Sequence, residues 1–250
     1  MPRRRFFVPQ KLEQNGIAVL TPDQAHHLRI VLRLRAGEEV ELFDGTGLSY
    51  SGIIQSRGAV IRIGPLREVA LPEAPRTALA LAAALIKPDR FEWILQKGTE
   101  LGVERFLPLE TAFSTVRIPQ ARLGARMERW QRIVREACKQ SRRVTIPEVH
   151  FPMPLAALLT APEYAAHVRF MLYEKASERL TAGLKPGNPA LLCVGPEGGW
   201  DATEVHAAED AGYRIVGMGT RVLRAETAAL AALAIFQFLL EPPPMRDGPP

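Results

Sequence analysis

The chain has 250 residues, 47% of them hydrophobic and 24% charged, and this composition excludes disorder as its main state. Its two cysteines, Cys138 and Cys193, are too few for a disulfide framework or a four-cysteine zinc site. The longest apolar run, residues 227–240, falls short of the roughly 20 residues of a membrane span, and no signal-peptide pattern follows the N-terminal arginines. We therefore expect a cytoplasmic protein that binds no metal.

The net charge of +5 is concentrated in one segment, residues 117–143, which holds nine Lys or Arg against two acidic residues. Arginines recur there every three or four residues from Arg122 to Arg135, a spacing that predicts a helix with a basic face. Like charges at this spacing repel one another unless an anion lies along them. Arginine binds phosphate in a bidentate manner, which favours RNA or DNA as the partner. The alternative is a solvated helix face.

Residues 1–70 predict a small β-barrel. Strand candidates are residues 6–8, 37–43, 50–54 and 59–63, bounded by turns or glycines. A helix is predicted over residues 22–34, with Thr21 as N-cap and Pro22 at the first position. The proline-rich segment that follows contains a predicted linker, residues 71–76.

Residues 77–241 predict an α/β domain, because strands and helices alternate. Continuous apolar runs at residues 78–86, 168–173 and 190–194 are typical of parallel strands covered on both faces. Shorter strands are predicted at 106–109 and 214–218, and helices at 90–101, 201–211 and 226–240. Residues 242–250 are expected to be a disordered tail.

Several common nucleotide-binding and hydrolase motifs are absent from the sequence. It has no Walker A motif, no H-E-x-x-H and no G-x-S-x-G. Gly217-Met218-Gly219 begins a dinucleotide fingerprint, but Val222 stands where its third glycine belongs. The usual nucleotide hydrolases, NAD enzymes and serine hydrolases are therefore disfavoured.

Two segments near the C-terminus indicate a ligand site. In the first, the apolar run 190–194 leads into Gly195-Pro196-Glu197-Gly198-Gly199, where backbone groups can approach a ligand closely. In the second, Gly-x-Arg-Val-Leu-Arg-x-Glu-Thr-Ala (219–228) opens the last predicted helix, whose N-terminus favours anions. Both follow strands, and ligands of open α/β sheets bind at the carboxyl ends of strands. The alternatives are a stiff turn and simple N-capping.

The two segments together resemble the 16S ribosomal RNA uridine-N3 methyltransferase family of the SPOUT superfamily. The resemblance extends over nearly the whole chain, through residues 5–8, 26–33, 87–90, 96–103, 129–130, 136–137 and 140–141. Two departures fall in the basic helix: Lys139 stands where the family usually has an acid, and Arg142 where a small residue is common.

The resemblance implies that S-adenosylmethionine binds in a C-terminal trefoil knot. It also implies a homodimer whose active site takes residues from both chains. The N-terminal PUA-like barrel is then expected to bind 16S rRNA or the small ribosomal subunit. The cofactor-binding residues it implies are Leu172, Tyr173, Glu174, Gly195, Pro196, Glu197, Gly198, Met218, Gly219, Arg221, Val222, Leu223, Arg224, Thr227 and Ala228.

Methylation at N3 of uracil must remove a weakly acidic proton or stabilise an anion spread over O2 and O4. We expect Arg224 or Arg221 to hold that charge, and Glu226 to orient the arginine or accept the proton. The base must be unpaired or flipped, because N3 lies on its Watson–Crick edge. The residues predicted to bind RNA are Arg3, Arg4, Arg5, Phe6, His26, Arg29, Arg33, Arg122, Arg126, Arg129, Arg135 and Arg142.

Two other functions stay open at this point. The first is that of a SPOUT enzyme that methylates a ribose 2′-hydroxyl or another base. The second is that of an RNA-binding or ribosome-assembly factor without catalytic activity. The polar junction of Arg221, Arg224 and Glu226 argues against silence, because a pure RNA binder does not need it beside a glycine-lined pocket. His26 and His27 either contact RNA or cap a helix.

Overall fold

A computed structural model describes residues 4–55, 60–70, 78–180, 185 and 187–240 of the chain. The predicted linker (71–76) and tail (242–250) and Arg3 lie outside these ranges. The chain divides into two compact units, Met1–Glu73 with Cys138–Ile146, and Ala74–Ala137 with Pro147–Pro250. The domain division predicted above assigns residues 138–146 to the second domain, whereas in the structure they pack with the first unit.

The first unit is mostly β-structure around one core. Its strands are β1 (Arg5–Phe7), β2 (Ala18–Val19), β3 (Glu39–Phe43), β4 (Ser49–Ile53), β5 (Arg62–Ile63) and β6 (Arg67–Val69). They form a four-stranded sheet in the order β1-β3-β4-β6 and a two-stranded sheet of β2 and β5, linked by a bridge between Ile54 and Ile63. The predicted barrel is therefore built as two small sheets, and both contribute to a single buried cluster that includes Phe6, Leu42 and Ile63.

Two details of the first unit differ from the sequence-based prediction. The predicted helix over residues 22–34 is split into α1 (Pro22–His26) and a π-helical stretch, His27–Val31, although Thr21 is its N-cap as predicted. Strand β6 lies at the start of the proline-rich segment, where the sequence predicted no strand, and it forms because its backbone pairs with β4.

Residues 138–146 contact a buried ion pair that other residues of the first unit form. The Arg5 guanidinium donates from Nε to Glu41 (2.8 Å) and from Nη1 to the carbonyl of Cys138 (3.2 Å). Both side chains of the pair are only 5% exposed. Ser49 also donates to Glu41 (2.7 Å), and Arg142 lies 3.4 Å from its other oxygen. The segment thus contacts both members of the pair, through the Cys138 carbonyl and Arg142. The pair itself is costly to break, because its loss leaves an uncompensated buried charge.

The second unit is an α/β fold. Its strands are β7 (Leu79–Ala84), β8 (Arg105–Glu110), β9 (Glu148–Val149), β10 (Met153–Pro154), β11 (Val168–Leu172), β12 (Glu178–Arg179), β13 (Ala190–Val194) and β14 (Arg214–Gly217). Its helices are α2 (Pro88–Glu100), α3 (Gln120–Ser141, which ends in the first unit), α4 (Leu155–Leu159), α5 (Ala202–Asp210) and α6 (Ala225–Leu240). A 3₁₀ turn, Pro162–Tyr164, precedes β11.

All described strand pairs of this unit are parallel, in the order β10-β8-β7-β13-β11-β14-β12, with β9 also on β8. Every residue of β7 and β13 is buried, as the continuous apolar runs predict. The order brings together the carboxyl ends of β13, β11 and β14. Within the described ranges, none of the helices combines the length and apolar character needed to cross a bilayer.

Candidate active site

A cavity of about 380 Å³ opens where the three neighbouring strands β13, β11 and β14 end. Leu172, Val194 and Val216 line it from the strand ends, and Ala225 and Ala228 line it from the first turns of α6. The cavity is therefore built where crevices of parallel sheets take their ligands. Its volume lies within the roughly 300–1,000 Å³ of small-molecule pockets.

The glycine-rich turn after β13 forms one wall of this cavity and is held by Trp200. The Trp200 indole Nε1 donates to the carbonyl of Leu172 at 2.8 Å, which ties the turn to the end of β11. A Cβ on Gly195 would lie 3.0 Å from the Trp200 ring, a contact so tight that the ring would have to shift to accommodate a side chain. Asp201 then caps α5 by accepting from the backbone N–H of Thr203 (2.9 Å). The packing of Trp200 that fixes the turn thus favours glycine at position 195.

The opposite wall is the loop between β14 and α6. Gly219 has a φ of +122°, a conformation that other residues rarely adopt. Arg221 and Arg224 are exposed and line the cavity, and Val222 is 85% exposed. No side-chain hydrogen bond or ion pair is found for either arginine among the residues described. Both guanidinium groups therefore have their full hydrogen-bonding capacity available to a ligand.

Arg90, at the start of α2, links the two motif segments and was given no role by the sequence. Its Nη1 lies 3.2 Å from a carboxylate oxygen of Glu197, in the glycine-rich turn, and its Nε lies 3.7 Å from Oε1 of Glu226, in the first turn of α6. The other oxygen of Glu226 is buried and has no hydrogen-bond partner within the described part of the chain. The partner found for Glu226 is thus Arg90, not the expected Arg224 or Arg221.

Nearly all residues expected to bind the cofactor line this one cavity. They are Leu172, Tyr173, Glu174, Gly195, Pro196, Glu197, Gly198, Met218, Gly219, Arg221, Val222, Leu223, Arg224 and Ala228. Thr227, which is exposed, and Glu226 do not line it. Val194, Gly199, Trp200, Val216, Gly217 and Ala225 also line the cavity and were not predicted. They lie one or two positions from predicted residues, so a slightly longer segment at each motif would have included them.

The structure argues against two of the predicted RNA contacts. Phe6 is 2% exposed and belongs to the core of the first unit. Arg5 is turned inward onto Glu41, and its guanidinium also lies over the Phe43 ring, 4.4 Å from the centroid. The cluster of N-terminal basic residues suggested a surface role. Arg5 and Phe6 are adjacent in β1 and therefore point to opposite faces of the strand, and both faces are covered, because Phe6 enters the core and Arg5 meets Glu41.

The remaining predicted RNA contacts differ in how far their charge is already neutralised. Glu92 accepts from Arg129 at 2.5 and 2.6 Å and from Arg126 at 3.3 Å. Arg142 lies near Glu41 and Arg135 is half-buried, whereas Arg4, His26, Arg33 and Arg122 are exposed. Arg29 and Arg33 line a shallow pocket of the first unit. His27 is exposed as well. The basic face is thus partly paired with the protein's own carboxylates.

Neither cysteine is available as a nucleophile. Both are free and buried, and burial raises the pKa of the Cys138 thiol to about 11 and that of Cys193 further still. Because the thiolate is the reactive form, covalent catalysis by cysteine is disfavoured near neutral pH. The charged residues that line the cavity are instead Arg221, Arg224, Glu174 and Glu197. The Arg90–Glu226 pair adjoins them through the contact of Arg90 with Glu197.

Comparison with known proteins agrees with this architecture. Residues 72–237 match the family model described as the RNA methyltransferase domain, and residues 20–63 match the RNA methyltransferase PUA domain. Fold and site thus define the class of RNA methyltransferases that carry a PUA domain.

The relatives narrow the class. The chain is similar to ribosomal RNA small subunit methyltransferase E from Mycobacterium bovis, with 33% identity over 91% of this chain and 88% of the relative. It is 28% identical to the protein of that name from Bacillus subtilis, over 95% of this chain and 97% of the relative. The chain belongs to the ribosomal RNA small subunit methyltransferase E family.

Two solved structures superpose on nearly the whole chain. One is ribosomal RNA small subunit methyltransferase E from Neisseria gonorrhoeae bound to S-adenosylmethionine, with a TM-score of 0.87, 32% identity and coverage of 96% of this chain and 99% of that chain. The other is a methyltransferase from Legionella pneumophila in complex with S-adenosylmethionine, with a TM-score of 0.87, 29% identity and coverage of 97% and 100%.

Proposed function

We propose that the protein transfers a methyl group from S-adenosylmethionine to N3 of a uridine in 16S rRNA of the small ribosomal subunit. The observation that carries this proposal is the cavity at the ends of β13, β11 and β14, with Arg221 and Arg224 at its mouth. Relatives of similar length are named for small-subunit rRNA methylation, and structural neighbours are crystallised with S-adenosylmethionine.

The cavity residues fit S-adenosylmethionine in size and chemistry. Backbone groups at 172–174 and 195–198 offer donors and acceptors to a polar ligand, and the Trp200 and Val216 side chains offer apolar surface for a purine. When bound, S-adenosylmethionine supplies an electrophilic methyl group on a sulfonium. Glu174 and Glu197 give the cavity acidic groups, which suits a cationic ligand.

Arg224 is the residue to which we assign the stabilisation of the uracil anion. It lines the cavity and its guanidinium has no internal partner among the described residues, so it can donate to O2 or O4 as charge develops there. Arg221 is its neighbour on the same loop and extends the positive field. Both arginines line the cavity to which this proposal assigns the methyl donor, and this supports their role toward the acceptor base.

Glu226 is the residue to which we assign the N3 proton. One of its carboxylate oxygens faces Arg90, and the other is buried without a partner among the described residues. An unpartnered carboxylate oxygen is a proton acceptor in need of a donor. Glu226 follows Ala225, which lines the cavity, so a base that reaches over the cavity edge comes close to it.

We further propose that the active protein is a homodimer and that its methyltransferase domain contains a trefoil knot. Helix α6 is apolar on several sides and leaves Phe238 84% exposed, which favours a covering partner such as a second copy. Strand β11 lies between β13 and β14, both later in the chain, an arrangement compatible with a knotted C-terminal segment. Sedimentation equilibrium tests the dimer, for which the expected mass is twice 27.6 kDa.

The test of the reaction is incubation with labelled S-adenosylmethionine and small ribosomal subunits that lack the modification, followed by nucleoside analysis. We expect the label in 3-methyluridine. Label in a 2′-O-methylated nucleoside or in another base would contradict the N3 assignment while keeping the methyltransferase. No label despite cofactor binding to the same preparation would contradict the proposed substrate, and no binding of the cofactor would favour a silent RNA-binding factor.

A further inference from the structure

A second cavity, of about 670 Å³, lies beside the first at the same edge of the sheet. It begins at Leu85 and Ile86, which follow β7, and β7 is the neighbour of β13. The first turn of α2 separates the two: its residues Asp89 and Glu92 line the second cavity, and Arg90 contacts Glu226 of the candidate active site. The start of α2 therefore lines the second cavity and also contacts the candidate active site.

The walls of this cavity are rich in groups that donate hydrogen bonds. Arg117, Arg122, Arg126 and Arg129 line it. Glu92 already engages Arg126 and Arg129, and Arg117 donates to the carbonyl of Thr111 at 3.3 Å. Arg122 is exposed and has no side-chain partner among the described residues. Arg117 keeps its charge but uses one donor on a carbonyl, whereas every donor of Arg122 is available to an anion.

Trp130 supplies an independent indication of a ligand. It lines the cavity and is 2% exposed, yet its Nε1 is buried with no hydrogen-bond partner in the described ranges. The indole N–H can only donate, and buried donors without an acceptor are rare and costly. Its ring packs on Phe91, 4.8 Å between centroids, so the group is held in place. The occupant must therefore offer both an anion and a neutral acceptor.

An RNA nucleotide has both: a phosphate with two anionic oxygens, and ribose and base oxygens that accept hydrogen bonds. We propose that this cavity binds one nucleotide that flanks the methylated uridine, with its phosphate on Arg122 and a sugar or base oxygen toward Trp130. The inference rests on the proposed function, since it names where that reaction's RNA substrate is held. It assigns the unpaired charge of Arg122, on α3, to one defined site.

The test compares binding of unmethylated 16S rRNA to Arg122→Gln and to Arg132→Gln, a matched control that removes an exposed arginine of the same helix outside the cavity. Affinity is measured between about 50 and 200 mM salt. For Arg122→Gln we expect about tenfold weaker binding, and a salt slope smaller by about 0.7–0.9, the value for one lost phosphate contact. Arg132→Gln should keep the wild-type slope.

A second pair of variants fills the cavity without changing charge. Ala125 lines it, so Ala125→Met should weaken RNA binding, whereas Ala121→Met, on the same helix outside the cavity, should not. Cofactor binding stays at the wild-type value in all four variants.

Equal slopes for Arg122→Gln and Arg132→Gln would overturn the proposal even if the wild type methylates the rRNA. A changed sedimentation mass with unchanged RNA binding would assign the cavity to a protein contact and would also overturn it. A wild type that binds rRNA with the expected differences but transfers no methyl group would contradict the proposed function and leave the nucleotide site standing.

Discussion

The basic helix α3 and the loop that follows β14 are both rich in arginine, but they use this residue differently. On α3, Glu92 holds Arg126 and Arg129, and at the helix end Glu41 lies near Arg142. In the loop, Arg221 and Arg224 are exposed at the mouth of a cavity, and no carboxylate of the described chain pairs with them. The helix carries more positive charge in total, whereas in the loop a larger fraction of the charge is available to a ligand.

This difference separates arginines that stabilise the protein from arginines that can bind a ligand. An arginine paired with a carboxylate must exchange that partner before it binds phosphate or an oxyanion. An unpaired arginine has to lose only bound water before it binds such a group. We therefore expect variants of the unpaired arginines that line a cavity to affect catalysis or RNA binding, and variants of the paired clusters to affect the free energy of unfolding.

The largest effect is expected at an unpaired arginine. Arg224→Gln should lower turnover by roughly 10²–10³-fold, the usual loss when one donor to a developing oxyanion is removed. Its unfolding midpoint should stay at the wild-type value, since the side chain is exposed and unpaired. Single-turnover methylation of small subunits with saturating S-adenosylmethionine measures the first quantity, and urea denaturation the second.

Arg179→Gln is a suitable control for this prediction, because Arg179 is exposed and lies on β12 outside the cavity. It should keep wild-type turnover. If Arg224→Gln kept turnover within tenfold of the wild type while binding the cofactor normally, the assigned role of Arg224 would be wrong.

A smaller effect, on stability instead of catalysis, is expected at the paired cluster of the first unit. Glu41→Gln removes the charge that Arg5 faces in a buried site, and should lower the free energy of unfolding by about 2 kcal/mol at pH 7. Burial raises the pKa of Glu41, but the Ser49 hydrogen bond and the Arg5 charge outweigh it and hold the pKa below its usual value. A carboxylate with a lowered folded-state pKa stabilises the protein above its ordinary pKa, and that stability is lost as the pH falls through the lowered value.

The stability difference between wild type and Glu41→Gln should therefore shrink as the pH is lowered from 7 to about 3. Urea denaturation at several pH values measures it. The exposed Glu13 lies in the same unit, and Glu13→Gln should match the wild type at every pH. A gap that is constant with pH would show that the ion pair contributes packing and not charge.

The sequence predicted the elements whose formation depends on local pattern. The strand β13 has the predicted bounds, because a continuous five-residue apolar run is typical of a parallel strand that is buried on both faces. The two-residue strands β9, β10 and β12 were missed, since their existence depends on pairing with distant strands and not on their own residues. Residues 138–146 likewise pack with the first unit through contacts, such as that of Arg5 with the Cys138 carbonyl, that no local spacing encodes.

The candidate site shows the same division. Its glycines and the arginines of the loop stand in two short motifs, and residues of both motifs line one cavity. Arg90 could not be found in this way, because its partner Glu197 is 107 residues away and no periodicity links them. The burial of Arg5 was also beyond the sequence, since a run of three arginines gives no sign of which one turns inward.

Arg90 combines features of both classes of arginine, and it gives the smallest of the predicted effects. It is paired, with Glu197 and Glu226, but it lies at the site. Its side chain and those of its partners are 15–34% exposed, so solvent screens the two contacts. Arg90→Gln should lower turnover by about five- to tenfold through misplacement of Glu226, with the KM for RNA unchanged.

Arg90→Lys should restore only part of the turnover, because a lysine ammonium keeps the charge but cannot reach two carboxylates with one planar fork. Lys97, which pairs with Glu100 on the same helix outside the cavity, provides the matched control in Lys97→Gln. A loss of turnover as large as that of Arg224→Gln would place Arg90 among the groups that contact the substrate. An unfolding midpoint that falls with turnover unchanged would place it with the ion pairs of the fold. The predicted intermediate result, partial rescue by lysine with normal stability, is specific to a residue that positions the carboxylate of Glu226.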